Sequence, residues 1–210
     1  MFSNVKTFFT HSDKKMRDDR WIFSSMLIGA LCSLLAAFVL SVEVLHLARN
    51  PNATLSCSVN AIVNCATVAK HPINEMFGFP NSFIGLMSEP VVITVAIAGL
   101  AGVRFPRLFM FVAQGFYTLG FVFALVLLYF SLFVIQALCP WCLLVTLTTT
   151  LVWFSITRIN IREDNLYLPK SVAKKAHAWI EKDYDKFAMA LIVFAIIATI
   201  FLKYGDSLFS

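Results

Sequence analysis

The stretch Leu138-Cys139-Pro140-Trp141-Cys142-Leu143 opens a long apolar run, with two thiols three residues apart. Proline at the first helical position gives up no hydrogen bond and already has a helical φ, so Pro140 starts a helix and Cys139 becomes its cap. Cys142 then faces inward one turn later. The positive end of the helix dipole favours thiolate over thiol at Cys139. An i to i+3 separation on a helix brings the Cα atoms to about 5 Å, inside the window that a disulfide accepts. The pair can therefore open and close with little backbone movement.

The surroundings of this stretch decide the fold class. Of the 210 residues, 59% are hydrophobic and 14% charged, and the mean hydropathy is +0.78. These values lie outside the soluble range and specify an all-α polytopic membrane protein. Five runs are long enough to cross a bilayer: about 21–45, 83–103, 108–133, 140–157 and 187–202. The first is expected to remain in the protein, because it is too long for a signal peptide and has no small-residue cleavage site. The net charge of +5 comes from basic residues clustered between apolar runs, so nucleic acid is excluded as a partner and the bilayer is the expected one.

Orientation follows from where those charges fall. Residues 1–20, the hinge at 104–107 and residues 158–186 hold five, two and seven of the 17 Lys and Arg. Arg49, Lys70 and Lys203 lie on the other side. The positive-inside rule then puts the N-terminus in the cytoplasm and the C-terminus outside, in a multi-pass inner (cytoplasmic) membrane protein. Segment 46–80 and the start of the fourth span share the extracytoplasmic face. That face carries Cys57, Cys65, Cys139 and Cys142 and is where disulfides persist. The expected organisation is a cytoplasmic segment 1–20, a four-helix bundle 21–157 including the loop 46–80, a cytoplasmic or interfacial linker 158–186, and a fifth span with the C-terminus, 187–210. In the linker, Pro169 is a plausible start for an amphipathic interfacial helix with Lys170, Lys174 and Lys175 on its polar side.

A lone Cys-x-x-Cys in an apolar helix is weak evidence of redox chemistry, because cysteine packs as a small apolar residue. A second pair, Cys57 and Cys65, in a polar loop over the same helix start either staples the loop or exchanges thiols with the first pair. Four thiolates on one face also suit Zn²⁺, although the x7 spacing and the inward Cys142 disfavour it. Cys32, in the middle of the first span, reads as a packing residue. Glu89, beside Pro90 in the second span, is a candidate proton acceptor, with a helix break near the interface as the plainer reading. Glu43 marks the outer end of the first span.

Cys57-x7-Cys65, Phe77-Gly78-Phe79-Pro80-Asn81-Ser82-x-x-Gly85 and Cys139-x-x-Cys142, in this order, resemble the vitamin K epoxide reductase family, its bacterial branch most closely, over about residues 21–157. A rival family of membrane thiol oxidases places its Cys-x-x-Cys before the wider pair, the reverse of the order here. The resemblance implies a four-helix bundle around a quinone (menaquinone, ubiquinone or a vitamin K-like ring), fed from the membrane quinone pool. It implies that Cys142 reacts with the quinone, that Cys139 resolves that species and exchanges with Cys65, and that Cys57 meets a thioredoxin-like partner. Asn81 matches the position whose amide binds a quinone carbonyl, a helix cap being its plainer reading, and Ser82 follows as a packing or capping residue. Thr146 stands where vertebrate enzymes have a tyrosine on the other carbonyl, which argues against vitamin K epoxide as substrate. Bacterial members oxidise a secreted disulfide donor, whereas vertebrate members run in the reducing direction. Many bacterial relatives carry a fused thioredoxin-like domain; with the chain ending at Ser210, the partner is expected to be a separate extracytoplasmic protein.

Overall fold

The computed structural model describes residues 14–60 and 62–208. The first thirteen residues of the expected cytoplasmic segment, with Lys6, and Phe209 and Ser210 at the other end lie outside the described residues. Nearly everything described is helical. The elements are α1 (Lys14–Arg49), α2 (Cys65–Ala69), a 3-10 turn (Pro72–Glu75), α3 (Ser82–Leu100), α4 (Arg107–Tyr129), which runs on as a π turn (Phe130–Ile135), α5 (Pro140–Arg162), α6 (Lys170–Glu181) and α7 (Tyr184–Leu208). Among the described residues, α1, α3, α4 with its π turn, α5 and α7 are the five helices long and apolar enough to cross a membrane. The protein is thus a multi-pass membrane protein, with the spans in the expected order.

Several helices outrun the expected spans. At 1.5 Å per residue, α1 is about 54 Å long, nearly twice the hydrocarbon thickness, so it extends beyond the bilayer core. α5 continues past Thr157 to Arg162 because its polar residues are satisfied inside the protein. Asn160 Nδ2 donates to Met110 O and Gln114 Oε1, and Arg158 holds Asp185 at 2.7 Å and Asp183 at 2.9 Å. The helix expected after Pro169 forms as α6, with its three lysines exposed.

α1 packs along both α3 and α5, and α5 also packs on α4. Small residues allow the close approach. A Cβ on Gly99 would stand 2.3 Å from the Phe23 ring, and one on Gly85 would stand 2.8 Å from Ala37 Cβ. α3 and α4, by contrast, do not pack along their lengths. This gap is the structural basis of the cavity described below.

The connection between α4 and α5 is the turn that places the Cys-x-x-Cys. The π turn ends at Gln136, which adopts a left-handed φ of 57°. Ser131 Oγ donates to Ala137 O at 2.6 Å and closes the corner. Lys203 Nζ and Tyr204 Oη both donate to Leu132 O, which ties α7 to the same corner.

Candidate functional site: two thiol pairs over an apolar cavity

Cys139 caps α5 as its position predicts. Its φ and ψ are extended, Pro140 is the first helical residue, and Cys139 Sγ accepts from the Cys142 N–H at 3.3 Å. The Cys139 thiol is held below the ordinary thiol range, first by a hydrogen bond from the Cys142 side chain and further by the backbone N–H groups of Cys142 and Trp141; burial opposes the shift. Such a thiol has more thiolate character than an ordinary one.

The loop is built to bring the second pair down onto the first. Asn60 Oδ1 accepts from the N–H groups of Ile62 and Val63, and Asn64 Oδ1 accepts from Thr67 N, capping α2. Leu138 N donates to Ile62 O at 2.7 Å and Asn64 N donates to Leu138 O at 3.0 Å, so the loop forms a parallel bridge with the residue just before Cys139. Cys65, two residues beyond the bridge, forms a disulfide with Cys57. Its sulfur lies 3.3 Å from Cys139 Sγ. At that separation, exchange between Cys65 and Cys139 needs no movement of the loop. The closed end is Cys57, only 7% exposed. Its sulfur sits 3.2 Å from Glu43 Oε2, while Glu43 Oε1 accepts from Ser56 N and from Ser56 Oγ.

Glu43 and the sulfurs of Cys57 and Cys65 lie within 4.8 Å of one another. With the two sulfurs joined as a disulfide, they are not thiolate ligands for zinc. Cys139 and Cys142 are free thiols, and Cys32 on α1 is a third. Lys70 and His71 act locally: Lys70 Nζ donates to Pro51 O and His71 Nδ1 caps the 3-10 turn.

Below the thiols lies a cavity of about 710 Å³ bounded by α1, α3, α4 and α5, with Cys139, Cys142, Asn81, Ser82, Glu89 and Thr146 in its wall. The rest is chiefly apolar, including Val92, Val95, Phe116, Phe123 and Leu143. Such a wall with a few polar points is the usual form of a site for an apolar ligand with polar ends. Asn81 Nδ2 donates to Ile73 O at 2.8 Å, and Asn81 makes no side-chain cap bond to α3. Its Oδ1 is buried without a partner, leaving that acceptor and one amide hydrogen for a ligand. Thr146 Oγ1 donates to Cys142 O, so it turns only acceptor lone pairs toward the cavity. Ser82 Oγ accepts from Ser41 Oγ at 2.9 Å, tying α3 to α1.

Glu89 is more deeply placed than a residue at a helix break. It is 4% exposed, its Oε1 accepts from Ser33 Oγ at 3.0 Å with Tyr117 Oη at 3.5 Å, and its Oε2 is buried without a partner. Ser33, Tyr117 and Ser56 were not legible as site residues, since each looks like an ordinary polar residue near or in an apolar run. For Ser56 the available signal was its place beside Cys57, in the loop that follows Glu43 and the end of α1. A quinone head fits these residues chemically: a flat apolar ring whose two oxygens accept hydrogen bonds suits an apolar cavity with a free amide hydrogen of Asn81 in its wall, and the orphaned amide oxygen can accept from the hydroxyl of the reduced form.

No curated protein and no solved structure matches the chain. The family described as "Vitamin K epoxide reductase family" matches residues 24–157, a span that holds both thiol pairs, the cavity and the greater part of each of the four helices around it. The chain belongs to the vitamin K epoxide reductase family of membrane oxidoreductases.

Proposed function

We propose that the protein is a thiol–quinone oxidoreductase that reoxidises a secreted thioredoxin-like disulfide donor and passes the electrons to membrane quinone, so sustaining disulfide formation outside the cell. The single observation that carries this reading is the 3.3 Å contact between Cys65 Sγ, within its disulfide to Cys57, and the Cys139 thiol at the cavity roof. Basic residues on the opposite side of the spans support a cytoplasmic N-terminus in the inner membrane and an extracytoplasmic thiol end.

The exchange proceeds through this chain's own sulfurs. A partner thiolate attacks Cys57, releasing Cys65 thiolate and leaving a mixed disulfide that the partner's second thiol resolves. Cys65 thiolate attacks Cys139 of a Cys139–Cys142 disulfide and releases Cys142; Cys57 thiolate then attacks Cys65 and releases Cys139. The products are a loop disulfide and two inner thiols, the state of the cysteines in this structure. A bound quinone supplies a two-electron, two-proton acceptor. Cys139 and Cys142 give up those electrons and protons as they close again to a disulfide, and Asn81 orients the ligand from the cavity's thiol end. The buried Cys57 requires the loop before it to lift when the partner docks.

The test is anaerobic incubation of purified protein with a defined ubiquinone or menaquinone and a reduced thioredoxin-like donor, following quinone absorbance. One quinone consumed per donor disulfide formed is expected. Donor thiols that persist in the presence of bound quinone would overturn the reading.

A further inference from the structure

The carboxyl at the end of α1 has more than a structural place. Glu43 lies at the dry side of the loop disulfide, 9% exposed, with one oxygen engaged by Ser56 and the other 3.2 Å from Cys57 Sγ. Among the described residues it forms no ion pair. A buried carboxylate without an ion-pair partner is an expensive neighbour for a sulfur that becomes an anion whenever its disulfide opens.

We propose that Glu43 is the proton carrier of Cys57: it accepts the Cys57 proton when that thiol attacks and returns it when Cys57 leaves. The inference rests on the relay above. The step balances in either direction. In one, Cys139 thiolate attacks Cys65 Sγ, the Cys57–Cys65 bond breaks, and the departing Cys57 sulfur takes the proton of the Glu43 carboxyl. The products are a Cys65–Cys139 disulfide, a Cys57 thiol and a Glu43 carboxylate. In the reverse, the Glu43 carboxylate takes the Cys57 proton as Cys57 attacks Cys65 and expels Cys139 thiolate. No external oxidant or reductant enters. The geometry suits a general acid–base pair, since the oxygen free of Ser56 is the one against the sulfur. The other titratable groups in its field are Cys65 beside it and Cys139 and Cys142 at the start of α5; His46 and Arg49 follow in the last turn of α1.

Glutamine separates the chemical role from the structural one. In Glu43→Gln the amide oxygen still accepts from Ser56, but the group facing Cys57 no longer carries a transferable proton. The full chain is used with Cys142→Ala as background, where Cys139 equilibrates only with the loop pair. A pH jump starts the exchange, acid quenching and alkylation stop it, and mass spectrometry reads the free Cys57 thiol and the Cys65–Cys139 disulfide. Adding Glu43→Gln is expected to slow the interconversion about 10²-fold, the lower end of general acid–base catalysis, and to abolish the limb of the pH profile that belongs to the carboxyl. Glu43→Asp is expected to restore part of the rate and that limb, and Ser56→Ala, which removes only the hydroxyl contact, is expected to keep the limb. An unchanged rate and profile in Glu43→Gln, or a limb lost equally in Ser56→Ala, would overturn the inference and leave the relay standing. Absence of any Cys65–Cys139 disulfide in the Cys142→Ala background would instead overturn the relay itself.

Discussion

The contact between Cys65 and Cys139 has a consequence that can be worked through numerically. In a Cys57→Ser, Cys142→Ser double variant, each of these cysteines loses its usual partner and faces only the other. Two sulfurs confined to a separation of 3.3 Å correspond to an effective concentration of about 10 M. Against about 10 mM glutathione the internal disulfide is then favoured by about 10³, equivalent to about 4 kcal/mol. The bridge of Leu138 to Ile62 and Asn64 holds both backbones, so little entropy remains to be lost. The assay is alkylation with a mass-tagged maleimide after equilibration in a glutathione buffer, before and after reduction. Only Cys32, the remaining cysteine, should take the tag from denatured, unreduced protein, and all three should take it after reduction. Glutathione adducts at Cys65 and Cys139 in place of the internal disulfide would refute the reasoning.

Three further outcomes follow from separate parts of the molecule. Asn81→Ala removes the amide hydrogen left free for a ligand and should weaken quinone affinity about tenfold, the worth of one hydrogen bond, whereas Cys65→Ser should bind quinone normally yet stop turning over the donor; equilibrium titration and donor oxidation read the two apart. The alkylation rate of Cys139, measured in Cys65→Ser to open access, should rise with pH through a midpoint below that of an ordinary thiol, and Cys142→Ala should move the midpoint up by removing the leading donor. The sign for stability is that of a depressed pKa: this contribution is fully present above the unfolded value and is lost as pH falls through the folded one. Gly99→Val forces a side chain into the Phe23 ring and should cost about 1–3 kcal/mol by overpacking, seen as a lower Tm in detergent, while Gly115→Ala, with nothing within 4 Å of its Cβ, should leave Tm nearly unchanged.

Much of this architecture was legible because hydropathy and charge act locally. Run lengths placed five spans, and Pro140 after Cys139 was enough to place a cap, since both effects operate within one helical turn. Pro169 and the lysines of α6 were readable for the same reason. Contacts across long sequence separations were not. Nothing in Val63 or Leu138 advertises that they pair, so the bridge that docks the loop on the Cys-x-x-Cys could not be read from them. The π turn at Phe130–Ile135 arises from tertiary ties, with Leu132 O held by Lys203 and Tyr204, and periodicity alone reads through it as plain helix. Glu43 and Glu89 were visible as acidic residues near or in spans, but their roles depend on which oxygen is engaged and which is left free.

The relay is tested most directly by the order in which its disulfides form. Protein with all four thiols reduced is mixed anaerobically with one equivalent of quinone, quenched at intervals, and mapped for disulfides. The account predicts that the Cys139–Cys142 disulfide appears in step with the loss of quinone absorbance, that the Cys57–Cys65 disulfide follows, and that Cys139→Ala abolishes the second event. Formation of the Cys57–Cys65 disulfide first, or at an unchanged rate in Cys139→Ala, would contradict it.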